Sequence, residues 1–249
     1  MDLTIIIPCF NESDSIPTLY DELTPVVAAL RRDRSVEVVF VDDGSTDNTG
    51  DLLAAAFRGD PDVRVIAHDR NRGLGAALRT GYGHARGRVV VTADSDATYP
   101  FRLIPSLLDR LQSGADIVTG SCYHPDGGIE NVPAYRILLS RSASTIYRLI
   151  VDRRVHTYTC MFRAYRRQVL DSVELRADGF LGVTELLVNA MLLGYSVAEL
   201  PCTLRMRRYG ASKAKLARTT RAHLAFQGQI ARARVLQLVR PSLPAKQTR

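Results

Sequence analysis

The sequence predicts an α/β fold: one domain on a mostly parallel sheet with helices on both faces, followed by a basic C-terminal helix. Three observations predict it. Short β-branched runs alternate with helical periods through most of the first half of the chain, and such alternation implies parallel strands joined by right-handed crossovers. Several of those runs empty directly into acid-rich polar clusters. Finally, 249 residues at 46% hydrophobic suit one large core better than two small ones.

Leu3-Thr4-Ile5-Ile6-Ile7, closed by Pro8, reads as a fully buried strand. Asn11 to Ser15 supply capping chemistry for a helix to about Arg31, with Ile16, Leu19, Leu23, Val26, Val27 and Leu30 on one face. Val36 to Val41 is the second strand and ends in Asp42-Asp43-Gly44-Ser45; Ser45, Thr46 and Asp47 are caps for a helix carrying Leu52, Leu53 and Phe57. Val63 to Ala67 is the third strand, before Asn71-Arg72-Gly73-Leu74-Gly75 and a helix from Ala76 to Ala85. Val89 to Thr92, the fourth, runs into Asp94-Ser95-Asp96. Beyond it, Ile104 to Leu111 is helical in pattern, Ile117 to Thr119 a strand, and His124 to Asn131 a Gly-rich loop. Arg136 to Val151 and Glu185 to Leu193 read as helices, and Val197 to Leu204 as a late strand interrupted by Pro201.

Ligands of such sheets bind outside the carboxyl ends of the strands, so Asn11-Glu12, Asp42-Asp43 and Asp94-Ser95-Asp96 are expected to converge on one crevice. Two carboxylates one residue apart suit a hard cation, Mg²⁺ or Mn²⁺, bridging to substrate phosphates; the alternative is a pair of solvated acids in a turn. Asp42-Asp43 exceeds what capping requires, which points to at least one acid accepting from a base or ribose. Asn71 to Leu78 lacks the spacing of a dinucleotide or P-loop motif, so Gly73 and Gly75 are read as glycines of a helix start packed closely on the sheet. Arg205, Arg207, Arg208 and Lys213 flank Gly210-Ala211-Ser212, either as a clamp on phosphate or as an exposed basic loop.

The net charge of +7 is uneven. Pro201 to Arg249 holds twelve Lys and Arg and no acid, leaving 21 basic residues against 26 acidic ones upstream. Within that tail, Leu216, Leu224, Phe226, Ile230, Val235 and Leu238 are expected on one side of a helix, with Lys215, Arg218, Arg221 and Arg232 opposite. The pattern suits a helix on an anionic membrane surface and equally one packed on its own domain. Only Tyr209 and Phe226 interleave the basic residues, a poor stacking surface, so nucleic acid is not an expected partner. Cys9, Cys122, Cys160 and Cys202 form no CxxC pair, suggesting neither zinc nor disulfides, and no apolar run is long enough to span a bilayer. A cytoplasmic protein, soluble or peripheral at the membrane, is expected.

Together the motifs IIIPCFNE, VVFVDDGSTDNT, NRGLGAAL, ADSDATYPFRLIP, DIVTGS with GGIENVPAYR, FRAYRR and RRYGASK resemble family-2 glycosyltransferases of the A-type, Rossmann-like fold. Within that family they resemble the dolichol-phosphate or polyprenol-phosphate mannosyltransferase branch. The resemblance implies a catalytic domain over residues 1–213 and a basic helix and tail over 214–249. It implies that Pro8, Phe10, Glu12, Val41 and Asp43 line the nucleotide pocket and that Asp94 and Asp96 hold metal and diphosphate. It also implies that Arg136 and Ser140 face the acceptor phosphate, and that Arg207, Ser212 and Lys213 belong to a basic loop closing over the donor. The chain departs from the branch at Cys122, where Arg is common, at Thr157, Cys160 and Met161, where an acid, Ser and Gly are common, and at Thr98, where an amide is usual.

The implied reaction is metal-dependent, inverting transfer of a hexose, GDP-mannose being the first donor expected, to a polyprenyl phosphate. An anionic acceptor needs orientation and leaving-group stabilisation more than a base. The alternative is a soluble transferase acting on a small-molecule or other non-lipid acceptor, with a UDP-sugar among its donors. A hydroxyl acceptor would need a base; Glu185 is nominated beside Asp96 as a catalytic carboxylate, with the acid of a helix N-terminus as its other reading.

Overall fold

The computed structural model describes residues 1–96, 98–206 and 216–239. Strand β1 (Leu3–Cys9) is buried along its whole length because it pairs on both edges with parallel neighbours, β2 (Val36–Asp42) and β4 (Val89–Thr92). Its β-branched residues serve both faces. Leu3, Ile5 and Ile7 join a core under α1 (Ile16–Leu30) and α4 (Ile104–Gln112), while Ile6 joins Val39, Val41, Val90 and Ala77 of α3 (Leu74–His84) on the other side. The face expected of α1 is the one it buries: Ile16, Leu19, Leu23, Val27 and Leu30. Helix α2 (Thr49–Ala56) follows β2, and β3 (Val63–Ala67) closes that edge of the sheet.

The sheet has seven strands in the order β3-β2-β1-β4-β7-β5-β8, with β5 (Ile117–Ser121) and β8 (Val197–Pro201) parallel. One strand departs from the expected pattern. β7 (Arg163–Arg166) lies inside the FRAYRR stretch and runs antiparallel between β4 and β5. Its reversal sets Arg163 beside Thr92 and Thr119, at the carboxyl ends of its neighbours, so the preceding residues Thr157 to Phe162 enter the crevice side of the sheet. The late strand is two strands. β8 stays in the main sheet, and after Cys202 the chain forms β9 (Thr203–Arg205), which pairs with β6 (Gly128–Glu130) from the Gly-rich loop.

Helices α5 (Ala134–Ile150), α6 (Arg167–Ser172), α7 (Leu181–Leu192) and α8 (Leu216–Val239) complete the chain. α7 is buried nearly all round, and α8 packs on α5 and α7. The face α8 buries differs from the expected one. His223, Gln227 and Ile230 are buried and Phe226 is half-buried, a spacing of three, four and seven residues, whereas Leu224 is 57% exposed. The apolar positions of this helix do not fall in one stripe, and two polar side chains, His223 and Gln227, share the interface with Phe226 and Ile230 while Leu224 stays outside it. No helix of the described residues is long and apolar enough to cross a membrane.

Candidate active site

The ends of β1 and β2 are tied together by side chains. Asn11 adopts a left-handed backbone (φ 52°), which Asn tolerates. Its amide donates to Ser45 Oγ (2.9 Å) and its Oδ1 accepts from the Thr46 amide (2.8 Å). Asp47 Oδ1 accepts from the amide and hydroxyl of Thr49, and Asp42 Oδ1 from the amide and hydroxyl of Ser45. Pro8, Val41 and Glu12 are buried and Phe10 half-buried around this junction, so the residues expected to bind nucleotide do gather at one place.

Asp43, expected in the nucleotide pocket, also anchors the chain at this junction. Its Oδ1 accepts from His68 Nδ1 (2.7 Å) and the Arg72 amide (2.9 Å), its Oδ2 from Asn71 Nδ2 (2.9 Å) and the Gly73 amide (2.8 Å). Four donors fill the four acceptor sites of a carboxylate. Buried Asp43 thus folds the Asn71–Gly73 turn against the end of β2. Gly73 has φ 101°, and a Cβ on Gly73 or Gly75 would collide with the carbonyls of Asp178 or Ala177. The close approach expected of these glycines is real, but it is to the loop before α7 and not to the sheet.

Asp94 and Asp96 follow β4 in a turn where Asp96 Oδ1 accepts from the Thr98 amide (3.1 Å) and hydroxyl (2.6 Å). Asp94, Thr98, Arg136 and Ser140 line a single cavity of about 360 Å³ roofed by α8. Asp94, expected to hold metal, and Arg136 and Ser140, expected to face the acceptor phosphate, are therefore brought together although they lie on different elements. Ser140 Oγ is 2.7 Å from Thr159 Oγ1, and the Arg136 guanidinium lies 5.8 Å from the Tyr135 ring centre. Leu139, Ala143 and Ile146 make the walls apolar, and the burial that pushes the Cys122 thiol pKa up keeps that side neutral.

Two oxygen donors one residue apart fit a divalent ion that keeps waters and takes phosphate oxygens. Among the described residues no group of three His, Cys, Asp or Glu forms a closed cage. The glycosyl transferase family 2 model matches residues 4–173, well over half of the chain. The chain belongs to glycosyl transferase family 2. It is 36% identical over 216 residues to polyprenol monophosphomannose synthase of Mycolicibacterium smegmatis (84% of this chain, 79% of the relative). It is 34% identical over 218 residues to dolichol-phosphate mannosyltransferase of Pyrococcus furiosus (86% of this chain, 60% of the relative). These relatives support membership of the polyprenol-phosphate branch. Among solved structures it is similar to glucosyl-3-phosphoglycerate synthase from Mycobacterium tuberculosis in complex with Mn²⁺, UDP and glucosyl-3-phosphoglycerate. That likeness has a TM-score of 0.67 at 20% identity, covers 91% of this chain and 79% of the other, and shows the A-type fold.

Glu185 of this transferase does not line the cavity. Its Oε2 accepts from the amides of Arg176 (3.0 Å) and Ala177 (2.7 Å), holding the loop that Gly73 and Gly75 press against. It sits at the fifth position of α7, past the helix start, so the N-terminal-acid reading is replaced by that of a loop anchor. Arg207, Ser212 and Lys213 lie outside the described residues.

The sequence reading missed Arg163, Tyr147 and His223. Arg163 is fully buried; its guanidinium donates to Thr119 Oγ1 (3.0 Å) and to the carbonyls of Tyr158 (2.7 Å) and Val183, tying β7 to β5 and α7. It thereby fixes the Thr157–Phe162 segment that floors the cavity. On α8, Thr219, Thr220, His223 and Gln227 face the cavity, a polar series at helical spacing among residues that hydropathy alone assigns to solvent.

Proposed function

We propose that this enzyme transfers a hexose from a nucleotide-sugar, GDP-mannose first among donors, to a polyprenyl phosphate, with inversion and with Mg²⁺ or Mn²⁺. The observation that carries the reading is the one cavity joining Asp94 to Arg136 and Ser140 between apolar walls. A phosphate head meets the polar residues Arg136 and Ser140, and the first prenyl units lie against the apolar part of the wall.

In this mechanism an acceptor phosphate oxygen attacks the anomeric carbon as the bond from that carbon to the diphosphate breaks, the electron pair leaving with the nucleoside diphosphate. The acceptor is already an anion, so no proton has to be taken and Glu185 is not needed as a base. Asp94 and Asp96 would hold the metal, which when bound supplies neutralising charge to the departing diphosphate. Arg136 and Ser140 orient the acceptor for in-line attack, and the apolar walls exclude water that would compete as nucleophile. Both named relatives, a polyprenol monophosphomannose synthase and a dolichol-phosphate mannosyltransferase, support the acceptor class.

Access from a membrane fits the outer surface of the same two helices. Tyr135, Leu138 and Leu149 share an outward face of α5, the two leucines 67% and 61% exposed, and Leu224 of α8 is exposed as well. Exposed Arg141, Arg218 and Arg221 stand on these helices and would meet anionic head groups. A soluble phosphorylated acceptor is the second reading. It is favoured by the neutral thiol of Cys122 where the branch commonly has Arg. Thermal-shift measurements with GDP, UDP, GDP-mannose and UDP-glucose, each with and without Mn²⁺, test donor and metal. A ligand at a hundred times its Kd stabilises by about 2.7 kcal/mol. Metal-dependent stabilisation by GDP and GDP-mannose is expected; stabilisation by no nucleotide would overturn the proposal.

A further inference from the structure

His223 is buried on the inner face of α8, yet it lines the cavity. Its Nδ1 is 3.1 Å from the hydroxyl of Tyr147, a fully buried residue of α5. That contact fixes which nitrogen carries the proton. The Tyr147 hydroxyl has no other partner among the described residues, so if Nδ1 donated to it, the hydroxyl hydrogen would be buried with no acceptor. Tyr147 therefore donates, Nδ1 accepts, and the neutral ring carries its hydrogen on Nε2. The ring is held there: Tyr147 stacks on Tyr158 with centroids 5.4 Å apart and meets His223 edge-on at 5.9 Å.

Nε2 has no protein partner among the described residues, and it is not among their sealed, unpaired polar atoms, where Arg167 Nη1 stands alone. The open space that His223 lines is the cavity, which assigns Nε2 to it. We infer that His223 is a specificity-determining residue whose Nε2–H donates a hydrogen bond to the phosphate of the acceptor, from α8, in the cavity that Arg136 and Ser140 of α5 also line. The inference rests on the proposed reading of the cavity as the acceptor site and deepens it.

A neutral donor suits the task. A second cation would bind the acceptor anion more tightly in the ground state and dull its attacking oxygen, whereas an imidazole N–H orients the phosphate with less loss of nucleophilicity. Burial favours the neutral ring, holding its pKa down at about 4. The cavity lacks a cation at Cys122, so recognition of the phosphate has passed in part to uncharged donors: Ser140, Thr159 and His223. The ligand chemistry is a phosphate monoester, carried by a prenyl chain or by a small polar molecule.

The test is binding read at the ring itself, which needs no turnover. Protein labelled with ¹⁵N-histidine is titrated with geranyl phosphate and, separately, with glycerol 3-phosphate. His223 is assigned from His223→Gln, and Tyr147→Phe reports on the tautomer. The expected result is an Nε2–H tautomer in the free protein, a shift of that N–H on adding geranyl phosphate, and a mixture of tautomers in Tyr147→Phe. His223→Phe should weaken geranyl phosphate by about 10- to 100-fold, the range for one hydrogen bond to a charged group, with unchanged GDP affinity and an intact melting transition. His223→Gln, which places an amide donor near Nε2, should recover part of the loss. A larger response to glycerol 3-phosphate would keep the hydrogen bond and assign it to a soluble acceptor. An Nδ1–H tautomer, or an N–H indifferent to both phosphates with equal affinities in His223→Phe, overturns the inference. If the ring responds to phosphate but no hexose is transferred, the transferase reading falls and this one stands. If transfer to geranyl phosphate is as efficient in His223→Phe as in the parent, the reverse holds.

Discussion

Replacing Asp43 by Asn separates two roles for the acid that follows Asp42. In the structure its carboxylate accepts from His68 Nδ1, Asn71 Nδ2 and the amides of Arg72 and Gly73. Asparagine keeps one oxygen and turns the other acceptor into an amine that faces two donors. Two hydrogen bonds to a charged acceptor are lost, at about 1.5–3 kcal/mol each, so the variant should lose about 3–6 kcal/mol. That is a large share of the 5–15 kcal/mol typical of a domain. Urea denaturation of Asp43→Asn reads this directly. A double-mutant cycle with Asn71→Ala should be non-additive, because the two side chains share a hydrogen bond in the parent. Nucleotide affinity should fall along with stability, through loosening of the Asn71–Gly73 turn. A variant that loses nucleotide binding but less than about 1 kcal/mol of stability would refute the anchoring role and show direct contact with the ligand.

Glu185→Gln should keep turnover and stay within about 1 kcal/mol in stability, since the amide oxygen still accepts from Arg176 and Ala177; a fall in kcat of about 10²–10⁴, read in steady-state assays, would restore the general-base role. Because His223 is held neutral with its pKa at about 4, the unfolded chain binds its proton first as pH falls from about 6.5, and the native state loses stability through about pH 4. Relative to His223→Phe, the parent should lose about 3 kcal/mol over that window, about 6–12 °C in melting temperature; parallel melting curves against pH would contradict it. Asp96→Asn should melt like the parent yet lose Mn²⁺-dependent stabilisation by nucleotide, and retention of that stabilisation would remove Asp96 from the metal site. Leu138→Glu with Leu149→Glu should abolish flotation with anionic liposomes and spare nucleotide binding; undiminished flotation would move the membrane face elsewhere.

The alternating apolar runs made the parallel half of the fold legible, because a strand buried on both faces has little compositional freedom. Ile5, Ile6 and Ile7 had to be sheet centre, and the polar clusters after β1, β2 and β4 had to meet. β7 was not legible: Arg163-Ala164-Tyr165-Arg166 reads as a polar stretch, and only the fold shows that three neutral oxygens satisfy the Arg163 guanidinium. Hydropathy misassigned the buried face of α8 for the same reason, since His223 and Gln227 enter the interior by pairing with Tyr147 and the Ala143 carbonyl. Glu185 shows the complementary limit. Its acidity was visible, but a carboxylate that serves backbone amides and one that serves a ligand are the same letter in sequence, and only the positions of the donors tell them apart.

The most direct measurement is transfer of radiolabelled mannose from GDP-mannose to a polyprenyl phosphate, extracted into organic solvent, with Mn²⁺ or with chelator, for the parent and Asp96→Asn. Label entering the organic phase with the parent and metal, and lost with chelator or with Asp96→Asn, is the predicted result. Label that never enters the lipid from GDP- or UDP-linked hexoses, in a preparation that binds the nucleotide and Mn²⁺, would contradict the account.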